Sequence, residues 1–258
     1  GFEAGSGKIT NIGAIAIGYR AGLPSAGSYD VFIGFEAGAQ TKGGGNLGIG
    51  RQAGRGSNGV SEYGGTSGSF NTSVGHYAGQ FLLGSGNANF GYQAGYYATG
   101  SYNTFVGSEA GKGGTTSAPY SSGENNTALG YQALTAFTTG YNNVAVGSNA
   151  GDSLTTGYSS IAIGKGALST EDTGYWNTAI GHLALSTLSY DGAGQNVGVG
   201  SYAGTNLTTG TNNTAVGHYA QLFNQTGAGN TYLGAGSGTG ASGQSNSNNT
   251  AVGYNSLN

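Results

Sequence analysis

A chain of 258 residues with 56 glycines, no cysteine, no methionine, 7% charged residues and a formal net charge of −3 is not an ordinary globular composition. Without cysteine there is no disulfide framework and no thiolate chemistry. Seven Lys and Arg are too few for a phosphate-binding surface, so nucleic acid is excluded as a partner, and no apolar run is long enough to span a bilayer.

In chain order, the predicted elements are one short strand repeated. A large apolar residue followed by glycine recurs at Gly18, Gly34, Gly50, Gly75, Gly91, Gly107, Gly130, Gly147, Gly164, Gly181, Gly200, Gly217, Gly234 and Gly253, after a first glycine at Gly1. Most steps are 16 or 17 residues; the exceptions are 25, 23, 19 and 19. A fixed period of this size means stacked units that lean only on their neighbours. Positions below are counted from this anchor glycine. Gly1 falls inside a repeat and no initiator methionine is present, so residues 1–258 are expected to be one repeat array cut from a longer fibre.

Position −1 is always large and apolar, and position −3 is mostly β-branched, as in Thr214-Ala215-Val216. That alternation predicts a strand. With −1 and −3 assigned to the core, the small residues at −2 (Ala128, Ala145, Ala162, Ala179, Gly198 and Ala215) form the opposite face, and their lack of charge predicts an interface between chains. After the anchor, Ala recurs at +3 and Gly or Leu at +4. Many repeats close on Thr-Thr-Gly, as at 138–140. Each repeat then reads as strand, Gly turn, short second strand, Gly turn: an all-β, parallel β-roll or β-solenoid of about 14 rungs without helices.

Asn recurs at −4, including Asn126, Asn143, Asn177, Asn196, Asn213, Asn230 and Asn249. Identical amides on successive rungs predict a hydrogen-bonded ladder. The four long steps place irregular loops near 55–69, 112–124, 186–195 and 235–245. Loops of this kind gather binding residues, and their tyrosines Tyr63, Tyr120 and Tyr190 are the candidate ligand contacts.

The chemistry-bearing residues are sparse. His76, His182 and His218 all stand at +1, where Tyr, Phe, Ser, Arg and Lys also occur, which marks a surface position. They are too far apart along the array to share a metal. Glu171-Asp172 is the one adjacent acidic pair and is placed in a turn. No catalytic residue, metal site or cofactor is assigned, and no enzyme activity is expected.

The Asn-Thr-Ala-Val-Gly-x-x-Ala unit, read at Asn213–Ala220, resembles the head-domain repeats of bacterial trimeric autotransporter adhesins. It looks equally like the Gly-rich repeats of phage tail fibres. The resemblance implies a left-handed parallel β-roll, three identical chains side by side, an extracellular, cell-surface or virion location, and attachment to a host glycan or protein receptor. The rungs are longer than that family's usual unit, and no neck, stalk or anchor is visible in the sequence. The expected function is a structural and adhesive segment of a surface fibre. The alternatives are a purely structural filament and an ice- or crystal-binding solenoid. Against the second stands the assignment of the recurrent Thr at −3 to the inward face. A glycan-cleaving tailspike enzyme would need paired carboxylates in a groove, which the spacing does not supply.

Overall fold

The computed structural model describes residues 2–5, 12–23, 27–56, 68–115, 120–241, 243 and 245–257. The chain forms two compact units, Gly1–Tyr131 and Gln132–Asn258. The first carries β1 (Ile15–Ile17), β2 (Val31–Ile33), β3 (Leu47–Ile49), β4 (Thr72–Val74), β5 (Ala88–Phe90), β6 (Thr104–Val106) and β7 (Thr127–Leu129). The second carries β8 (Val144–Val146), β9 (Ile161–Ile163), β10 (Thr178–Ile180), β11 (Val197–Val199), β12 (Thr214–Val216), β13 (Thr231–Leu233) and β14 (Thr250–Val252).

Within each unit every strand pairs in parallel with the next in sequence, residue for residue, as in Thr178↔Val197, Ala179↔Gly198 and Ile180↔Val199. Each unit is thus an all-β solenoid, and the described residues contain no helix. Among the described residues the expected second strand is not formed. Apart from the three-residue strand, each rung is a chain of turns in which positive φ returns at −5, at the anchor, at +2 and at +4. Such a backbone cannot run as a strand. It still bonds rung to rung: the N–H at +2 donates to the +1 carbonyl of the rung before, as Glu36 does to Tyr19 at 2.8 Å. The N–H at +4 donates to the +3 carbonyl of the rung after, as Gly38 does to Ala53 at 2.9 Å.

The anchor itself has φ between +121° and +139° in all fourteen rungs from Gly18 to Gly253, a region open in practice only to glycine. Packing closes the position as well. A β-carbon on Gly107 would lie 2.6 Å from the carbonyl oxygen of Gly130 in the next rung.

The strand faces are the reverse of the sequence expectation. The middle residue of the strand points into the roll, and its two neighbours point out. Ala128, Ala145, Ala162, Ala179, Gly198 and Ala215 are buried inside their own chain, opposite the equally buried +3 alanines. They are not an interface between chains. The reason is space. In most rungs the space between −2 and +3 holds small side chains, and the larger Phe32, Phe105 and Tyr232 stand at −2 where +4 is glycine. A β-carbon on Gly198 would already lie 2.8 Å from Leu185 and 3.2 Å from the Ala203 carbonyl. Ile17, Ile33, Ile49, Leu129 and Leu233, assigned to the core by pattern, are exposed.

The two units differ in how they fill this interior. Regular rungs are 16 residues in the first unit and 17 in the second, the longer rung adding a residue between +4 and the next strand. A second inward row at +7 then accepts larger side chains. It holds Thr41, Leu82 and Ala98 in the first unit, but Phe137, Leu154, Glu171, Leu188, Leu207 and Asn224 in the second, all buried.

Candidate functional site

The Asn row at −4 lies inside the roll and forms runs of a hydrogen-bonded ladder. Asn213 shows the unit. Its Nδ2 donates to Oδ1 of Asn196 at 3.1 Å and to the carbonyl of Gly227 at 2.8 Å. Its Oδ1 accepts from the backbone N–H of Asn230 at 3.0 Å and from that residue's Nδ2 at 2.9 Å. Asn249 closes the row on Oδ1 of Asn230 at 2.9 Å. In the first unit the backbone N–H of Asn126 donates to Oδ1 of Asn103 at 2.9 Å. Asp30 starts the row as a buried acceptor for the N–H of Asn46 at 2.8 Å. Ser160 interrupts it, taking an N–H bond to Oδ1 of Asn143 and accepting one from Asn177. Apart from the Nδ2 of Asn177, which is buried without a partner, the amides described are committed to their neighbours, so these groups hold rungs together and are not offered to a ligand.

What the chain offers to its surroundings is the outer sheet face. Positions −3 and −1 line it in both units, and all their side chains are partly or fully exposed. The rows contain only Ile, Val, Leu, Phe, Ala and Thr, with no charge. Isolated exposed apolar residues are common, but a contiguous stripe on a regular sheet marks a contact surface.

Neither a protein-family model, nor a curated protein, nor a solved structure matches the chain.

Beside that face, the +1 row of the first unit is aromatic and cationic. Phe2, Tyr19 and Phe35 stack at 6.0 and 5.1 Å between ring centres. The Arg51 guanidinium sits 5.6 Å from the Phe35 ring and 5.5 Å from Tyr77. His76 and Tyr92 continue the row at 5.8 Å. At +2, Arg20 stands 3.5 Å from Glu3 and 3.7 Å from Glu36, and Arg55 stands 3.5 Å from Glu36. Such partly exposed pairs contribute little singly. His182 and His218 lie in the +1 row of the second unit, against Tyr202 and Tyr219. Among the described residues no three His, Cys, Asp or Glu side chains gather as a metal site would require, and no helix is long and apolar enough to cross a membrane.

Of the candidate ligand contacts, Tyr63 lies outside the described residues. Tyr120 is half-buried against Phe81 at 4.8 Å and Tyr97 at 5.7 Å, in a cluster that Tyr96 completes. Tyr190 is also half-buried, its ring lying over Gly192, where a β-carbon would stand 3.0 Å from Cε1. The two tyrosines belong to different units.

The Glu171-Asp172 pair is split by the fold. Asp172 is exposed and accepts the Thr155 hydroxyl, while Glu171 turns inward and takes the +7 place in the core. Its Oε1 accepts the N–H groups of Gly174 at 2.8 Å and Asp172 at 3.1 Å, and its Oε2 has no partner. Burial pushes this carboxyl above the usual glutamate range, against the lowering effect of the backbone N–H bonds.

Proposed function

We propose that the chain is a structural and adhesive segment of an extracellular or virion surface fibre, built from several identical copies. The observation that carries this reading is the bare outer sheet face. An apolar side chain at −1 of every strand, joined at −3 by Ile, Val, Leu, Ala or Thr, repeats over seven strands in each unit and forms a stripe of the kind that stable interfaces of about 800 Å² per partner bury. Leaving such a stripe in water is unfavourable, and a flat face with a regular rung period is complementary to another copy of itself. The resemblance of the repeat to trimeric adhesin heads favours three copies. The face in contact is the Ile, Val and Thr face at −3 and −1. Sedimentation equilibrium of the whole chain is expected to give a whole-number multiple of 25.4 kDa. A stable monomer would reject the assembly. An assembled chain that adheres to no cell or virion-target surface would reduce the reading to a filament without a ligand.

One observation favours a second reading. Thr72, Thr104, Thr127, Thr178, Thr214, Thr231 and Thr250 at −3 point outward, not into the core, and so line a flat sheet face. That removes the argument against an ice- or crystal-binding solenoid. The row is broken by Ile15, Val31, Leu47, Ala88, Val144, Ile161 and Val197, which makes it a poor regular lattice. Thermal hysteresis in a freezing solution of the protein would support this second reading, and its absence would reject it.

A further inference from the structure

The turn leading into each strand holds position −5 at positive φ in every rung from Gly13 to Asn248. Glycine and asparagine take this conformation with least strain, and Gly13, Gly45 and Gly86 follow that rule. Between them stand Tyr29, Phe70 and Tyr102, at φ of 63°, 59° and 59°. A bulky residue held there is an outlier, and such outliers point toward function when folding does not reward them. Burial gives no reward here: the three are 68%, 75% and 64% exposed.

Each ring lies over the glycine of the preceding rung. A β-carbon at Gly13 would stand 3.0 Å from Cδ1 of Tyr29; at Gly45, 2.8 Å from Cδ1 of Phe70; at Gly86, 2.9 Å from Cδ1 of Tyr102. The Cδ1–Cε1 edge of each ring is thus held against backbone, and most of the ring is open to solvent. From Gly13 to Tyr102 glycine and aromatic residues alternate at −5, so these rings recur on alternate rungs. At about 4.8 Å per rung they stand about 9.6 Å apart in a line.

A polar rail runs beside them at −6. Oγ of Ser101 accepts the N–H of Ser85 at 3.2 Å, Oγ of Ser85 accepts that of Ser69 at 3.0 Å, and Oγ of Ser69 accepts that of Gly44 at 3.2 Å. Each hydroxyl is fixed as an acceptor and keeps its own hydrogen to donate. Neither row carries an Asp, Glu, Lys or Arg from Ile12 to Tyr102.

We propose that Tyr29, Phe70 and Tyr102 form a binding track for an extended, neutral, β-1,4-linked pyranose chain lying along the first unit. Such a chain repeats every two sugars, at close to the two-rung spacing. Each disaccharide presents an apolar C–H face that stacks on a ring, while its hydroxyls bond to the serine rail. The lack of charge selects against acidic polysaccharides. This gives the adhesive reading a ligand class and rests on it.

The test uses the whole chain, with cellohexaose and chitohexaose as probes in calorimetry. Cellobiose, chitobiose and an oligogalacturonate serve as controls. One or both hexaoses are expected to bind, the corresponding disaccharide much more weakly, and the oligogalacturonate not at all. Tyr29→Gly, Phe70→Gly and Tyr102→Gly place glycine where neighbouring rungs already have it, so each is expected to fold without loss of melting temperature. Each should weaken hexaose binding about tenfold, and the triple variant should abolish it. Failure of both hexaoses to bind the unaltered chain would overturn the proposal, as would undiminished binding by the triple variant. Loss of the oligomer in that variant would also overturn it, because the rings would then belong to the chain interface. Adhesion to whole cells is measured in parallel: adhesion without hexaose binding rejects the sugar class alone, and absence of both rejects the adhesive reading too.

Discussion

Phe105 and Gly111 share one rung, and the phenyl ring fills the space where a side chain at 111 would stand. A β-carbon there would lie 2.3 Å from Cδ1 of the ring. Phe32 with Gly38 and Tyr232 with Gly238 repeat the relationship at 2.2 and 2.3 Å. In three rungs a small −2 goes with a large, buried +4: Ala128 with Leu134, Ala162 with Leu168, Ala179 with Leu185. Where both are small, as at Ala145 with Gly151 and Gly198 with Gly204, Leu154 and Leu185 come nearest to the free space. The two positions share one interior volume. Gly111→Leu is expected to cost about 3 kcal/mol or more through overpacking, and Phe105→Ala about 3–4 kcal/mol through a cavity. The double variant reproduces the Ala128/Leu134 arrangement and should recover most of that loss. Denaturant unfolding of the four proteins checks it, and simple additivity would refute the shared volume.

Adjacent residues should respond oppositely to one substitution. Ala145→Arg places an unpaired charge inside the roll and is expected to unfold neighbouring rungs, at a cost of several kcal/mol. Val146→Arg places it on the outer face, where the isolated chain should change by no more than about 0.5 kcal/mol while the assembly dissociates. Circular dichroism and light scattering separate the two effects. If Val146→Arg unfolds the chain and Ala145→Arg does not, the strand faces are assigned backwards.

The ladder sets a third expectation. Removing the Asn213 side chain strands the N–H of Asn230 and the carbonyl of Gly227. Buried groups left without partners cost roughly 1–3 kcal/mol each, so Asn213→Ala should lose about 2–5 kcal/mol. Tyr254→Ser, at an exposed +1 position, should change stability little. Equal losses for the two would show that the ladder adds nothing.

The buried Glu171 sets a pH dependence. Its carboxyl titrates above the usual glutamate range when folded, so the folded state prefers the protonated form. Its contribution to stability is complete below the unfolded value and is lost as pH rises through the folded one. Melting temperature should therefore fall as pH is raised from about 4 through the weakly acidic range, on this account. Glu171→Gln keeps the acceptor for Gly174 and Asp172 without a charge, so it should remove that slope and raise the melting temperature at neutral pH. A slope unchanged in Glu171→Gln would assign the effect to another group.

The sequence by itself determined the repeat, the parallel strand before each anchor glycine, the lack of helices and the row at −4. These follow from local rules: a β-branched alternation, a glycine that alone tolerates φ near +130°, and a period of 16 or 17 residues. Only the tertiary structure decided which strand face lies inside. Alternation is symmetric: Thr-Ala-Val reads equally well with Ala in or out, and hydrophobicity favoured the wrong side. The interior broke the tie: it takes one inward side chain per strand at −2, Ala145 between the outward Val144 and Val146, and one as large as Phe105 where +4 is glycine. The same reversal moves the proposed contact surface from the small row to the Ile, Val and Thr face. Tyr29, Phe70 and Tyr102 were visible as letters, yet their spacing has meaning only once stacking sets each ring on the glycine of the rung before.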